Sequence, residues 1–192
     1  MLLIKDFLMK IEKKYLIHTH FKIVMQFSLT CTRFNATTRI ENSSYRRKKN
    51  YDGCIYGTPV QISSKIPHNH NVFVFEMDVS PNVKKIIGIG YIKNVLDRKI
   101  KCSIYNIQKF NRYIYFSNYR IDVKDMTTNE LEFIEKVQYS LFKTKSHVQR
   151  SIGITQIPIK NLNNVSLTET YVETRVLQMF KDRMVESRFP PP

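Results

Sequence analysis

Hydrophobic and polar side chains alternate most regularly near the start of the chain. Apolar or sulfur-containing residues occupy every second position over residues 21–31, and polar residues fill most of the positions between them. A period of two sustained over this length predicts a β-strand with one buried and one solvated face. Before this strand, residues 2–16 carry apolar side chains at helical spacing, which predicts a short amphipathic helix.

The middle of the chain has the pattern of several further strands. A polar segment at residues 38–49 fits either a helix or an ordered loop, and strands are predicted at residues 60–66, 72–77, 83–93, 101–106, 112–116 and 119–122. The second of these is almost continuously apolar and is expected at the centre of the sheet. Gly88 and Gly90 share one strand, and paired glycines in a strand indicate a bulge, a tight bend or close approach by another backbone.

Toward the C-terminus the hydrophobic period becomes helical. Capping boxes are expected at residues 127–130 and 166–169, because a hydroxyl residue precedes a glutamate by three positions in each. Apolar stripes follow both boxes, and the positions expected to be buried are Leu131, Ile134, Val137, Leu141, Val172, Val176, Phe180 and Met184.

The order of these elements predicts an α+β protein. A helix, a mostly antiparallel sheet of about six strands and two flanking helices follow one another, and the sheet could curl into a small barrel. We expect an N-terminal helical extension at residues 1–20, a single α+β core domain at residues 21–160, and a C-terminal helix with a proline-rich tail at residues 161–192.

Several protein classes are excluded by composition. No stretch approaches the roughly 18 uninterrupted apolar residues that a membrane helix needs, and the N-terminal region lacks the apolar centre of a secretory signal. The three cysteines are widely spaced and form no C-x-x-C pair, so neither a disulfide scaffold nor a cysteine zinc site is expected. These features predict an intracellular protein in a reducing compartment with no membrane partner.

The chain is strongly basic, and its positive charge is clustered. Lys and Arg number 31 against 16 acidic residues, which gives a formal net charge of +15. Residues 31–50 carry a net +5 and residues 82–120 a net +8, whereas residues 121–142 are acidic overall. A mutational bias toward lysine would spread more evenly, so the clustering favours a polyanionic partner, with nucleic acid as the first expectation.

The predicted nucleic-acid site combines cations for phosphates with flat rings for bases. Tyr113 or Tyr115 is expected to stack on a base. The cations expected to contact phosphate are Arg46, Arg47, Lys84, Lys85, Lys93, Arg112, Arg120, Lys145 and Arg150. Each part of this site has an alternative interpretation. The tyrosines could simply pack in the sheet, and residues 46–49 could form a solvated loop tip. Lys145 and Arg150 could compensate the dipole of the preceding helix.

The sequence predicts no cofactor, metal site or catalytic residue. The H-x-H pairs at residues 18–20 and 68–70 lack a third ligand at a suitable spacing. Glu76, Asp78 and Asp122 end predicted strands and could bind Mg²⁺ for phosphoryl chemistry, although neither Glu76 nor Asp78 is followed two residues later by the lysine of common nuclease patterns.

Several motifs carry a resemblance to a known family. These are Cys-Thr-Arg-Phe-Asn at residues 31–35, Gly-Cys-Ile-Tyr-Gly-Thr-Pro at 53–59, Gly-Ile-Gly-Tyr-Ile-Lys-Asn at 88–94 and Asn-Arg-Tyr-Ile-Tyr at 111–115. Over residues 31–158 the chain resembles a family of uncharacterised proteins of large nucleocytoplasmic DNA viruses. The resemblance implies a viral source, with the host cytoplasm, the nucleus or the virion as location, and implies no mechanism.

A second resemblance rests on residues 87–92 alone, where an apolar strand precedes a Gly-Ile-Gly-x-Ile strand. This element is similar to one in PUA-like barrels of the EVE and ASCH groups, and it implies a small β-barrel. Three functions remain open at this point, in order of preference: a non-enzymatic nucleic-acid-binding domain, a viral interaction or structural protein that binds an acidic partner, and a metal-dependent nuclease.

Overall fold

The structure is a computed structural model that describes residues 27–96, 102–143 and 147–186, and within them the fold is α+β. The described strands are β1 (Phe27–Phe34), β2 (Cys54–Thr58), β3 (Asn71–Asp78), β4 (Lys85–Lys93), β5 (Tyr113–Ser117), β6 (Tyr119–Asp122) and β7 (Thr155–Gln156). Five form a mixed sheet in the order β6-β4-β3-β1-β7, and β2 pairs with β5 in a separate antiparallel ribbon. The β1–β3 pair is parallel, and the other pairs are antiparallel. The described strands form no closed barrel.

Four α-helices complete the described part of the chain. They are α1 (Ala36–Lys48), α2 (Thr128–Phe142), α3 (Ile159–Asn163) and α4 (Glu169–Glu186), and short 3₁₀ turns lie at Gln108–Asn111, Val123–Asp125 and His147–Arg150. The polar segment that fitted a helix or a loop is therefore the helix α1. None of the described helices combines the length and the apolar character that crossing a membrane requires.

The five-stranded sheet is covered on both faces. One face carries Phe73 and Phe75 and packs against Val137 of α2 and Val176 of α4. The other face carries Val72 and Val74, which pack against the β2–β5 ribbon. The molecule thus has a helical layer, a central sheet and a third layer, and α1 adjoins the ribbon in that third layer because its Asn42 bonds to the Ile55 carbonyl of β2.

The prediction of a solvated face on the first strand is wrong for its described part. In β1 the alternate polar residues Ser28, Thr30 and Thr32 are buried. Their partners in the neighbouring strand β3 include Val72 and Val74, which belong to the ribbon-side core. Thr30 satisfies its hydroxyl by donating to the Phe73 carbonyl at 2.8 Å, so the polar face tolerates burial. Residues 21–26 of the predicted strand lie outside the described residues.

The strand predictions in the middle of the chain are confirmed for β3, β4, β5 and β6, and wrong at two places. Residues 60–66 form a loop in which Ile62 and Ile66 are buried anchors. Residues 102–106 form no strand because the Asn111 side chain accepts hydrogen bonds from the backbone N–H groups of Ile104 and Tyr105. Those donors are then unavailable to a neighbouring strand.

The first capping box is confirmed and the second is displaced. Thr127 and Glu130 form the reciprocal bonds of a capping box at the start of α2. At α4, Ser166 has a left-handed φ of 58°, and it is Thr168 whose hydroxyl accepts a bond from the Tyr171 N–H at 3.2 Å. The cap therefore lies two residues later than predicted.

The helix α4 packs into the same core as the strands. Its Val172, Val176 and Phe180 are buried, as the stripe predicted, beside Leu29 of β1. The predicted N-terminal helix and extension at residues 1–20 lie outside the described residues, as do residues 187–192 at the end of the predicted tail.

We expect Glu173→Gln to stabilise the protein at pH 8 and to have no effect at pH 4. Partial burial, together with nearby Glu169, raises the pKa of Glu173 to about 7. A carboxyl with a raised folded-state pKa contributes stability that is full below its unfolded pKa and is lost as pH rises through about 7. Because the side chain is partly solvated, the gain should be below about 1 kcal/mol. Thermal unfolding of both proteins at the two pH values measures it, and equal shifts at both would contradict it.

Candidate nucleic-acid interface

A cleft of about 350 Å³ opens at the carboxyl ends of β1 and β3, between the sheet and α1. Its α1 wall carries Arg39, Asn42, Ser43 and Arg46, which share one face of the helix because they are spaced three or four residues apart. The sheet wall carries Glu76, Asp78, Lys85, Arg120 and Asp122. Members of both basic stretches, 31–50 and 82–120, therefore meet at one concave surface.

The helix α1 is held in place by a polar anchor. It begins with a capping box between Asn35 and Thr38, and Asn42 is its one buried residue. The Asn42 amide donates to the Ile55 carbonyl at 2.7 Å and to the Tyr105 hydroxyl at 3.2 Å. Its carbonyl oxygen accepts from Arg46 Nε at 3.2 Å. The same residue therefore fixes the helix and orients the Arg46 side chain.

A buried ionic network forms the floor of the cleft. Arg120 donates from Nη2 to Glu76 Oε2 at 2.7 Å and from Nη1 to Asp122 Oδ2 at 3.0 Å. The Tyr56 hydroxyl donates to Glu76 Oε1 at 2.9 Å. Although burial opposes it, Glu76 raises the pKa of Arg120 further above its ordinary value. Burial, above all, raises the pKa of Tyr56 well above its ordinary value, so its hydroxyl stays protonated and donates to the carboxylate.

Glycines make room for this network. A Cβ at Gly88 would lie 2.7 Å from Arg120 Nη2 and 2.8 Å from Glu76 Oε2, and one at Gly90 would overlap the Tyr56 hydroxyl. The β3–β4 register also shifts between Glu76 and Met77, which face Gly88 and Ile86. The predicted bulge beside the paired glycines is thus confirmed, whereas the groups that approach the glycines most closely are side chains and not the predicted backbone.

A second ion pair, between Arg39 of α1 and Asp78 of β3, links the two walls of the cleft. Arg39 Nε lies 2.9 Å from Asp78 Oδ2, and the Ser80 N–H donates to the other Asp78 oxygen at 2.9 Å. Two cations of the cleft remain. Within the described residues, neither Arg46 nor Lys85 makes an ion pair with an acidic side chain.

A neighbouring depression of about 650 Å³ continues the surface past Arg46. It shares Ser43, Arg46, Arg120 and Asp122 with the cleft. It adds the cations Arg47 and Lys124 and the acids Asp52 and Asp125. Arg47 and Lys84 are both exposed, and Lys84 directly precedes Lys85 in the chain. Arg46, Arg47, Lys84 and Lys85 are called the rim cations below.

Four predicted site residues do not belong to this surface in the roles expected. Arg120 is a buried ion-pair partner with a side chain only 6 % exposed, so phosphate cannot reach it. Tyr115 is 1 % exposed, and its hydroxyl accepts from the Ile62 N–H, so it offers no face to a base. Lys93 lies at the far end of β4, roughly 25 Å from Lys85. Arg112 lies over the half-buried Tyr113 ring on the β2–β5 ribbon, 5.2 Å from its centroid.

The remaining predicted residues either lie outside the described part of the chain or form ion pairs that the sequence did not predict. Lys145 lies outside the described residues, and Arg150 ends the 3₁₀ turn His147–Arg150. The nuclease candidates Glu76, Asp78 and Asp122 do line one cleft. Each of the three carboxylates, however, forms an ion pair with an arginine. Within the described ranges, no three His, Cys, Asp or Glu side chains are grouped so that they could hold a metal ion.

Among the cleft residues that the sequence prediction missed, Arg39 and Asn42 do most to determine its geometry. Arg39 belongs to the first basic stretch, and the capping pattern Asn35-x-x-Thr38 could have indicated a helix with Arg39 and Arg46 on one face. Asn42 had no signal, because a single asparagine in a polar segment does not reveal that it bonds to Ile55 and Tyr105, at 13 and 63 residues' separation.

Comparison with known proteins identifies no relative. No protein-family model, no curated protein and no solved structure matches the chain. The resemblances to a viral family and to PUA-like barrels therefore stay predictions.

Proposed function

We propose that this protein is a non-enzymatic nucleic-acid-binding domain whose rim cations contact phosphates. The observation that supports it most directly is the meeting of Arg46 and Lys85 at one cleft, although 39 positions separate them in the chain. Both lack an ion-pair partner among the described residues, whereas Arg39 and Arg120 in the same cleft are neutralised. Unpaired cations beside a neutralised floor present a net positive surface to a polyanion.

Helix-dipole compensation, which the sequence offered as an alternative for Lys145 and Arg150, would explain only part of the arrangement at α1. Arg46, Arg47 and Lys48 lie in the last turn of α1, where cations are favourable. Arg46, however, is drawn toward the cleft by its bond to Asn42, and Lys85 belongs to a strand on the opposite wall. Dipole compensation needs no such pairing of two elements.

We expect duplex DNA binding to show a log–log salt slope of about −3.6, because four rim cations would neutralise about four phosphates. The double variant Arg46→Gln/Lys85→Gln should reduce that slope to about −1.8 and weaken binding. Fluorescence anisotropy titrations between 50 and 200 mM salt measure both quantities. The matched control is Lys93→Gln/Arg112→Gln, which removes the same formal charge away from the cleft and should leave the slope within error of the wild type.

Two outcomes contradict the proposal. The first is a slope near zero or no binding at the lowest salt. The second is an equal loss of slope in both double variants, which would mean that net charge alone and not the rim cations drives binding. If nucleic acid fails to bind while a protein partner survives nuclease treatment of a pull-down, the acidic-partner function replaces this proposal.

A further inference from the structure

The helix α1 has an unusual composition for a helix on the surface of a folded domain. Such helices normally bury an apolar stripe of about 100° against the core. Among the thirteen residues of α1 the one buried residue is the polar Asn42. The helix is therefore anchored by buried Asn42 and by Tyr45, which is partly buried against the ribbon-side core, and the side of the helix away from these two residues is accessible.

The side of α1 opposite its anchor carries a distinct stripe. At about 100° per residue, Thr37, Ile40, Ser44 and Arg47 fall within roughly 80° of each other, on the side directly away from Asn42. Ile40 is 55 % exposed in the middle of this stripe. Arg47 is also exposed, and its Nη2 approaches Ser44 Oγ at 3.4 Å. Ile40 is one of several large apolar side chains that are exposed in the described fold, and it differs from them in lying between hydroxyls and a guanidinium on one face of a helix beside the cleft.

We propose that α1 inserts into the major groove of B-form duplex DNA, with Thr37, Ile40 and Ser44 of the stripe facing the base edges and Arg47 at the end of the stripe beside the phosphate backbone. This inference rests on the proposed function and names its substrate class. An α-helix with its side chains is about 10–12 Å wide, and the major groove of B-DNA is about 12 Å wide. Thirteen residues span roughly 20 Å, about the length over which such a helix follows the groove.

The chemistry of the stripe fits base edges in that groove. Ile40 and the Thr37 methyl can contact thymine methyl groups, and Ser44 can bond to either a donor or an acceptor. Arg47, as one of the rim cations, contacts the phosphate beside these bases. Arg46 and Lys85 flank the helix on the cleft side, where a groove-bound helix meets the phosphate backbone.

Single-stranded and double-stranded RNA fit this surface less well. Single-strand recognition uses exposed aromatic faces beside the cations. The aromatic residues that line the cleft and the neighbouring depression are Phe34, which is buried, and Tyr51, which is half-buried and whose hydroxyl donates to the Cys54 carbonyl at 3.4 Å. Tyr119 is exposed, but it stacks on Tyr91 at the helical side of the sheet. The major groove of A-form RNA is too deep and narrow to admit a helix.

The test measures the ratio of affinities for a 20-base-pair DNA duplex and an RNA duplex of the same sequence, at one salt concentration. We expect wild type to prefer DNA at least about tenfold. Ile40→Glu and the uncharged Ile40→Gln should both bring the ratio toward one. Far-UV circular dichroism checks folding, which exposed Ile40 should not disturb because both replacements are good helix formers.

The matched control is Ile159→Glu, since Ile159 is 49 % exposed and begins α3, whose Leu162 packs on the helical side of the sheet. It should keep the wild-type ratio. In competition, methyl green, which occupies the major groove, should displace the protein, and the minor-groove ligand netropsin should not. Replacing thymine by uracil should weaken wild type more than Ile40→Gln.

The inference and the proposed function fail in different ways. Salt-dependent binding with a DNA-to-RNA ratio near one, a ratio unchanged in both Ile40 variants, or displacement by netropsin alone would overturn major-groove insertion and leave the proposed function standing. Absence of binding to every nucleic acid at 50 mM salt would overturn both.

Discussion

Arg120→Ala should lower the free energy of unfolding by about 3–5 kcal/mol. Breaking a buried ion pair by removing one partner has a cost of this size, because the remaining charge stays desolvated without compensation. Here the remaining charge is Glu76, whose side chain is 4 % exposed. Tyr56 alone would then donate to that carboxylate, and Asp122 would also lose its guanidinium partner. Urea denaturation monitored by circular dichroism measures the change.

The network predicts strong non-additivity. Glu76→Ala should also be destabilising, and the double variant Glu76→Ala/Arg120→Ala should cost much less than the sum of the two, because neither charge is then left unpaired. The matched surface control is Arg112→Ala, expected within about 0.5 kcal/mol of wild type. An Arg120→Ala cost no larger than that of Arg112→Ala would show that the network contributes nothing to stability.

The Arg120→Ala variant also tests whether Arg120 has only a structural role or contacts nucleic acid as well. At a temperature where Arg120→Ala remains folded, its salt slope for duplex DNA should equal that of wild type, because its side chain is not accessible to phosphate. A loss of about one unit of slope would restore Arg120 to the interface, as the sequence suggested. This comparison requires the folded fraction to be measured in the same buffer.

The fold was predictable where a single period governs a segment. The helical stripe at Val172 and Val176 and the continuous apolar run of β3 led to the correct elements. Prediction failed on the solvated face of β1, because burial of Thr30 depends on the ribbon-side layer covering that face of the sheet. No local sequence pattern indicates that a second layer covers the polar face of β1.

The site was predictable as a pair of basic stretches but not as individual contacts. The sequence shows the charges of Arg120 and Glu76. It does not show that folding brings these two side chains into contact although they are 44 positions apart in the chain. The sequence also shows that Tyr113 and Tyr115 share one face of a strand. It does not show that Tyr115 is buried and bonded through its hydroxyl to the Ile62 N–H. The paired glycines were the more reliable signal, since an absent side chain indicates that something else occupies the space.

Gly90→Ala should lower the free energy of unfolding by about 2–4 kcal/mol, which combines overpacking of the core with disturbance of a buried hydrogen bond. An added Cβ would overlap the Tyr56 hydroxyl and lie 2.9 Å from Cys54 Sγ. Tyr56 has no room to retreat, because its ring is 1 % exposed and its hydroxyl is bonded to Glu76. Urea denaturation should show a lower midpoint at an unchanged slope.

The double variant Tyr56→Phe/Gly90→Ala tests the cause of that loss. Removing the hydroxyl leaves Glu76 paired with Arg120 and removes the overlapping oxygen, so the double variant should cost about 1 kcal/mol less than the sum of the two single changes. Lys93→Ala, at an exposed site on the same strand, should stay within about 0.5 kcal/mol of wild type and serves as the control for an alanine placed on β4 away from Tyr56. Strict additivity of the two changes would mean that overlap with the Tyr56 hydroxyl is not the cause of the loss at Gly90.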